Sequence, residues 1–290
     1  LKKRGGPMPT KTILLCDDVF AKKEEAKERS RVLQKLTNDL SQRLKNKVRT
    51  IAVLDIPKEV ITTADKKSDI EILKGLPVEV ILKQAKEPNV EMLVMGTRAR
   101  SGVKRTFLGS VAEEIVRNAD VPVLVLGSHA VEADYSLNKK TLKILVISDL
   151  SDTSGGAERF AARFAKKLNA EIILFHSVGD QIKHMKDMLY SQRVKSAGVE
   201  ALFDEMKEFA ETSMSRKIKA YKAQGLKATG HIAYEEVEVS KFLKKNDWQN
   251  ADFIVMGTHS RGRFLKAFLG STTRRVMLSA RVPVIIVRTK

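Results

Sequence analysis

Apolar positions recur along this chain with two different periods, and the switching between them lays out an architecture. Thr12-Ile13-Leu14-Leu15-Cys16 is a continuous apolar run of strand length that ends on Asp17-Asp18. The next segment places Ala26, Leu33, Leu36, Leu40 and Leu44 on one helical face. Glu25 and Arg29, an i,i+4 pair of opposite sign, fall on its solvated side. Val48 to Ile56 reads as a second strand stopped by Pro57, Ile70 to Leu73 as a third, and Pro77 opens a helix through Val78, Ile81, Leu82 and Ala85. Only the polar stretch Lys58 to Asp69 separates the second strand from the third.

The same order then returns. Lys143 to Ile147 is an apolar run closed by Ser148-Asp149, followed by a helix with Ala157, Phe160, Ala161, Phe164, Ala165 and Leu168 inward. Glu171 to Val178 is a second strand, Gln181 to Lys195 a basic, irregular stretch, and Val199 to Gln224 a long helix. Lys227 to Ala233 is a third strand, followed by a helix carrying Val237, Val239, Phe242 and Leu243. Gly127 to Lys140 lies between the halves, polar and without periodicity, and reads as a linker.

The repetition is tightest in one block. Met95-Gly96-Thr97, Leu108-Gly109-Ser110 and Val121-Pro122-Val123 reappear as Met256-Gly257-Thr258, Leu269-Gly270-Ser271 and Val282-Pro283-Val284. The register is constant at 161 residues (Gly96 to Gly257, Gly109 to Gly270, Pro122 to Pro283), which marks a duplicated domain. Each block starts with an apolar strand, Glu91 to Met95 or Asp252 to Met256. A loop rich in glycine, serine and arginine follows, then Gly-Ser at a helix start, and Val-Pro forces the chain back to extended geometry. Glycines let backbone approach a ligand, and amides at a helix start form a cradle for anions. A plain βα turn accounts for a single copy equally well.

The spacing resembles the universal stress protein family, whose nucleotide-binding members carry Gly-x2-Gly-x9-Gly-Ser/Thr after the fourth strand. Here the pattern falls on Gly96, Ala99, Gly109 and Ser110, and again on Gly257, Ser260, Gly270 and Ser271, so the second glycine is missing from both copies. If that position is left-handed, a side chain there costs about 1–2 kcal/mol, or roughly 5–30-fold in affinity. The resemblance covers nearly the whole chain. It implies an α/β fold of two tandem, doubly wound, parallel five-stranded sheets of the adenine nucleotide alpha-hydrolase type. Residues 8–128 form the first domain, 129–140 the linker and 141–290 the second domain. The family's long helix between strands two and three has no room in the first copy, which looks trimmed; the second copy is complete.

The resemblance further implies ATP or a related adenine nucleotide, with Mg2+ on the phosphates, bound chiefly by the second copy. Asp149 would face the base or ribose, with Val178 at the end of the neighbouring strand. Gly257, Gly270, Ser271 and Thr272 would meet the phosphates, and His259, Arg261 and Gly262 lie in the loop between them. Asp18, Gly96, Gly109 and Ser110 form the weaker counterpart. The family's dimers pair their last strands, here Val123 to Leu126 with Val284 to Val287. That predicts an internal pseudo-dimer and is compatible with a homodimer.

Composition changes this picture in three places. A single cysteine, Cys16, cannot form an internal disulfide and fits a reducing cytoplasm, as a buried strand residue. No apolar run approaches the ~20 residues of a membrane span. A net charge of +18 favours polyanions, so a nucleic-acid-binding protein stays open beside a nucleotide binder and a nucleotide-free scaffold with degenerate pockets. Arg274 and Arg275 replace Glu113 and Glu114 at the helix start of the second copy, a tilt toward an anionic ligand there. Five scattered histidines lack metal-ligand spacing, and no nucleophile–base pair or paired catalytic carboxylates stand out, so the sequence makes no case for a dedicated enzyme.

Overall fold

The computed structural model describes residues 10–18, 24–55, 69–97, 108–151, 155–191, 199–245, 247–258 and 269–288. In the first half the described elements are β1 (Thr12–Cys16), α1 (Glu24–Leu44), β2 (Lys47–Leu54), β3 (Ile70–Lys74), α2 (Pro77–Ala85), β4 (Val90–Gly96), α3 (Ser110–Asn118) and β5 (Val123–Leu126). A short helix, α4 (Ser128–Glu132), leads to the second half. That half holds β6 (Lys143–Ile147), α5 (Gly155–Leu168), β7 (Glu171–Ser177), α6 (Val178–Ser191), α7 (Val199–Ala223), β8 (Ala228–Ala233), α8 (Val239–Lys245), β9 (Phe253–Gly257), α9 (Ser271–Ser279) and β10 (Val284–Val287).

The two five-stranded parallel units join into one ten-stranded sheet, ordered β3-β2-β1-β4-β5-β10-β9-β6-β7-β8. The join is antiparallel, with Val284 opposite Val125, Ile285 opposite Leu124 and Ile286 opposite Val123. Leu124 and Ile285 are the same position of the two copies, so the pseudo-twofold axis passes between them. Both are fully buried, each contributing about 1.5–3 kcal/mol. The last-strand pairing expected from the resemblance is therefore present within one chain.

Strand alternation divides the interior into two layers that run across the seam. Leu124, Leu126, Val146 and Ile285 face the layer with α1, α5 and α7. Val123, Val125, Leu145 and Ile286 face the layer with α2, α3, α8 and α9. Strands with both faces covered read as unbroken apolar runs, which is why the sequence outlines them clearly.

Three expectations fare differently. Residues 181–191 are helical rather than irregular, because Ile182 buries and Met185 packs on the same core. The stretch after Gly127 is polar in composition yet folded: Ala130, Tyr135 and Leu137 are buried, and the Tyr135 hydroxyl donates to the Asp252 carbonyl at 2.5 Å. Arg43 donates to the carbonyls of Leu137 and Lys139, and Lys139 pairs with Asp252 at 2.9 Å, so the stretch is stitched to both halves. The question of a missing helix between strands two and three falls on residues 56–68, outside the described residues.

Candidate functional site

In the second half the chain winds from β6 outward to β7 and β8, then returns to β9 on the other side of β6. Ligands of open α/β sheets lie at such a reversal, beyond the carboxyl ends of the strands. Ile147 is opposite Met256 on one side and Phe175 on the other. Asp149, Gly257 and Val178 thus leave three neighbouring strand ends.

Helix α9 is latched above them. The Gly270 amide donates to the Thr258 carbonyl at 3.1 Å, and the Thr273 hydroxyl to the Gly257 carbonyl at 3.0 Å. Gly270 is the N-cap, extended at φ −56° and ψ 141°, and it supplies no side-chain cap. Ser271 is exposed and Thr272 half-buried at the first two helical positions. The structure therefore places Asp149, Val178, Gly257, Gly270, Ser271 and Thr272 at the same end of the sheet, beyond β6, β7 and β9. His259, Arg261 and Gly262, like Ala99 and Ser260, lie outside the described residues.

Two of these residues are constrained in ways that limit their chemistry. Asp149 is 6% exposed, and its Oδ1 accepts from the Ser151 amide at 3.0 Å and the Ser151 hydroxyl at 2.5 Å, closing a local turn. Val178 is fully buried, backbone and side chain alike, so this expected contact presents no surface to a ligand. Gly179 behind it is packed so tightly that an added Cβ would lie 2.0 Å from the Glu235 carbonyl oxygen. The helix-start arginines are engaged elsewhere: Arg274 lies 3.9 Å from Glu113 across the seam, and Arg275 is 3.0 Å from Glu238. Their charge is thus partly neutralised by carboxylates.

The first half repeats the geometry with different contents. Asp18 follows β1, Gly96 ends β4 beside it, Gly109 caps α3 without a side-chain bond, and Ser110 begins that helix. Thr273 is replaced by Ala112, so the hydroxyl latch is absent there. Burial foremost, then the adjacent Asp17, push the Cys16 thiol up, although Cys16 is half-buried rather than the fully buried strand residue expected.

One buried feature escaped sequence reasoning. In the second half Ser148 Oγ donates to Glu158 Oε1 at 2.5 Å, and Lys217 Nζ from α7 reaches Glu158 Oε2 at 2.6 Å. The Ser148 carbonyl oxygen lies 2.8 Å from His176 Nδ1. In the first half Ser30 donates to Asp17, joined by Gln34 Nε2 at 3.0 Å. Strand and helix have exchanged their parts: serine to carboxylate in one copy, carboxylate to serine in the other. Both pairs tie the end of the first strand to the following helix, one residue before the site aspartate. A polar residue at the strand end, facing another in the following helix of each copy, was the available signal.

Among the described residues no helix is long and apolar enough to cross a membrane. A protein of Mycobacterium tuberculosis named as universal stress protein Rv2005c is 29% identical over 238 residues, 78% of this chain and 71% of that one. The fold matches a crystal structure of a universal stress protein from Archaeoglobus fulgidus with a TM-score of 0.60 and 19% identity, over 96% of this chain and 98% of that one. Another universal stress protein from that organism, solved in complex with dAMP, is 24% identical over 51% of this chain and 98% of that one, with a TM-score of 0.36. The universal stress protein family model matches residues 12–127 and again 140–288. The chain belongs to the universal stress protein family and carries two tandem copies of its domain.

Proposed function

We propose that the second domain binds ATP or a related adenine nucleotide and that the chain acts through it as a regulatory or scaffolding protein of the stress response. One observation carries the reading. At the reversal point of the sheet, Asp149, the Gly257 backbone and the start of α9, whose N-cap Gly270 brings no side-chain cap, lie together at the carboxyl ends of the strands. A helix start favours phosphate, and the neighbouring carboxylate suits a ribose or base. Among the described residues no three His, Cys, Asp or Glu side chains converge on a metal position. Mg2+ would therefore arrive on the phosphates, where it needs one or two carboxylates and keeps its waters.

The absent second glycine and the engagement of Arg274 and Arg275 favour the rival reading, a scaffold without nucleotide. Two measurements separate the readings. Mass analysis of protein purified under native conditions shows whether nucleotide accompanies it. Calorimetric titration of ATP should give heat with the wild type and little with Gly270→Val, which puts a branched side chain at the N-cap of α9. No heat from either protein would leave the scaffold reading standing.

A further inference from the structure

The glycine of the first notch has a described side chain across it. Helix α1 sends Arg29 across the end of β4. A Cβ placed on Gly96 would sit 2.7 Å from Arg29 Cδ, 3.2 Å from Cγ and 3.3 Å from Nε. The stem of Arg29 and its Nε therefore pass close over Gly96. Long basic side chains cover surface with their methylenes in this way.

Helix α5 is the counterpart of α1, and their core positions align. Leu33, Leu36 and Leu40 correspond to Ala161, Phe164 and Leu168, and Ser30 corresponds to Glu158, as their bonds to Asp17 and Ser148 require. On that alignment Arg29 corresponds to Ala157, which is buried and has no atoms beyond Cβ to lay over Gly257. Gly96 in the first copy thus has a role that needs no ligand: it admits the arginine stem.

We infer that Arg29 is an internal cover that closes the first domain's nucleotide notch, leaving one working site per chain. The inference rests on the nucleotide reading of this crevice. A notch covered in about nine molecules of ten loses about tenfold in apparent affinity. Arg29→Ala, which copies Ala157, should remove that loss, whereas Arg29→Lys keeps a covering stem and should not.

The test is photolabelling of the full chain with 8-azidoadenosine triphosphate, followed by peptide mass mapping, with circular dichroism to verify folding of each variant. Labelling of second-domain peptides alone is expected in wild type and Arg29→Lys. Arg29→Ala should raise labelling of first-domain peptides around residues 12–18 and 90–97 by about tenfold. No gain in Arg29→Ala overturns the cover. First-domain labelling in wild type that disappears in Arg29→Ala would make Arg29 a ligand and overturn it equally. A second domain that stays unlabelled while Arg29→Ala gains label in the first would refute the proposed site and uphold the cover. No label anywhere would refute both.

Discussion

Lys217 should matter to stability far more than a surface lysine, and the structure sets the size. Its Nζ is 2.6 Å from Glu158 Oε2, with the two side chains only 15% and 10% exposed. Breaking a buried pair costs about 3–5 kcal/mol because the remaining charge is stranded, against about 0–1 kcal/mol for an exposed pair. Glu158 retains the Ser148 hydroxyl on its other oxygen, and slight exposure lets water assist, so Lys217→Met should cost about 2–3 kcal/mol. With a slope of about 2 kcal/mol per molar urea, the midpoint falls by about 1 M or more. Trp248, the sole tryptophan and buried against Phe175, reports the unfolding of this half by fluorescence. Glu158→Gln removes the charge and keeps a partner for Ser148. Combining it with Lys217→Met should therefore cost less than the sum, by about 1.5–2 kcal/mol. A coupling below about 0.5 kcal/mol would show that the pair behaves as a surface contact, and the reasoning would fail.

Three further outcomes are expected. Gly179→Ala places a methyl 2.0 Å from the Glu235 carbonyl oxygen and 2.5 Å from that of Tyr234, so backbone must move, at a cost of about 1–3 kcal/mol. By contrast Gly156→Ala, near the start of α5 with its nearest neighbour atom 3.9 Å away, should stabilise by up to about 1 kcal/mol; thermal melts of the two variants moving in the same direction would contradict the packing described. Burial holds the His231 imidazole below its ordinary range, so protonation favours the unfolded chain. Its contribution to stability is complete above the unfolded value near 6.5 and is lost as pH falls through the lower folded value. Urea midpoints should drop on acidification through this window, and His231→Gln should flatten the drop. Glu113→Arg turns the contact with Arg274 into a repulsion between half-exposed groups, costing up to about 1 kcal/mol. The loss should fade in high salt and be repaired by adding Arg274→Glu.

The strands and the duplication were legible because parallel strands covered on both faces are written as unbroken apolar runs, and β1 begins and ends where its run does. Helix α6 was not legible. Lys183, His184, Lys186 and Asp187 interrupt it, and after the buried Val178 at its start Ile182 and Met185 carry the core contact, so packing against α7 rather than intrinsic pattern holds it helical. The stretch around Tyr135 was missed for a related reason: single anchors such as its hydroxyl on Asp252 leave no period to detect. At the site the positions of Gly257, Gly270 and Asp149 could be read from spacing. Side chains that cross between elements could not: Arg29 on Gly96, Arg274 on Glu113 and Lys217 on Glu158 are tertiary facts.

These crossing contacts say what fusion of two domains permits. In a symmetric dimer a residue on the axis meets its own copy. Leu124 and Ile285 occupy such a position, and two apolar side chains tolerate it in either arrangement. Glu113 and Arg274 are also one position in two copies, and they approach to 3.9 Å. A homodimer of either domain would set like charges against each other there, whereas the tandem chain has made them opposite. The arginine that strengthens the seam is then partly withdrawn from the mouth of the second domain's crevice. On the nucleotide reading, phosphate would be held by the α9 amides and the Thr273 latch on Gly257 more than by a helix-start cation. Binding dominated by oriented amides is less sensitive to ionic strength than binding to exposed arginines. The salt dependence of ATP titrations into wild type and Arg274→Ala should therefore be shallow and nearly parallel; a steep wild-type dependence abolished by the substitution would return that arginine to the site.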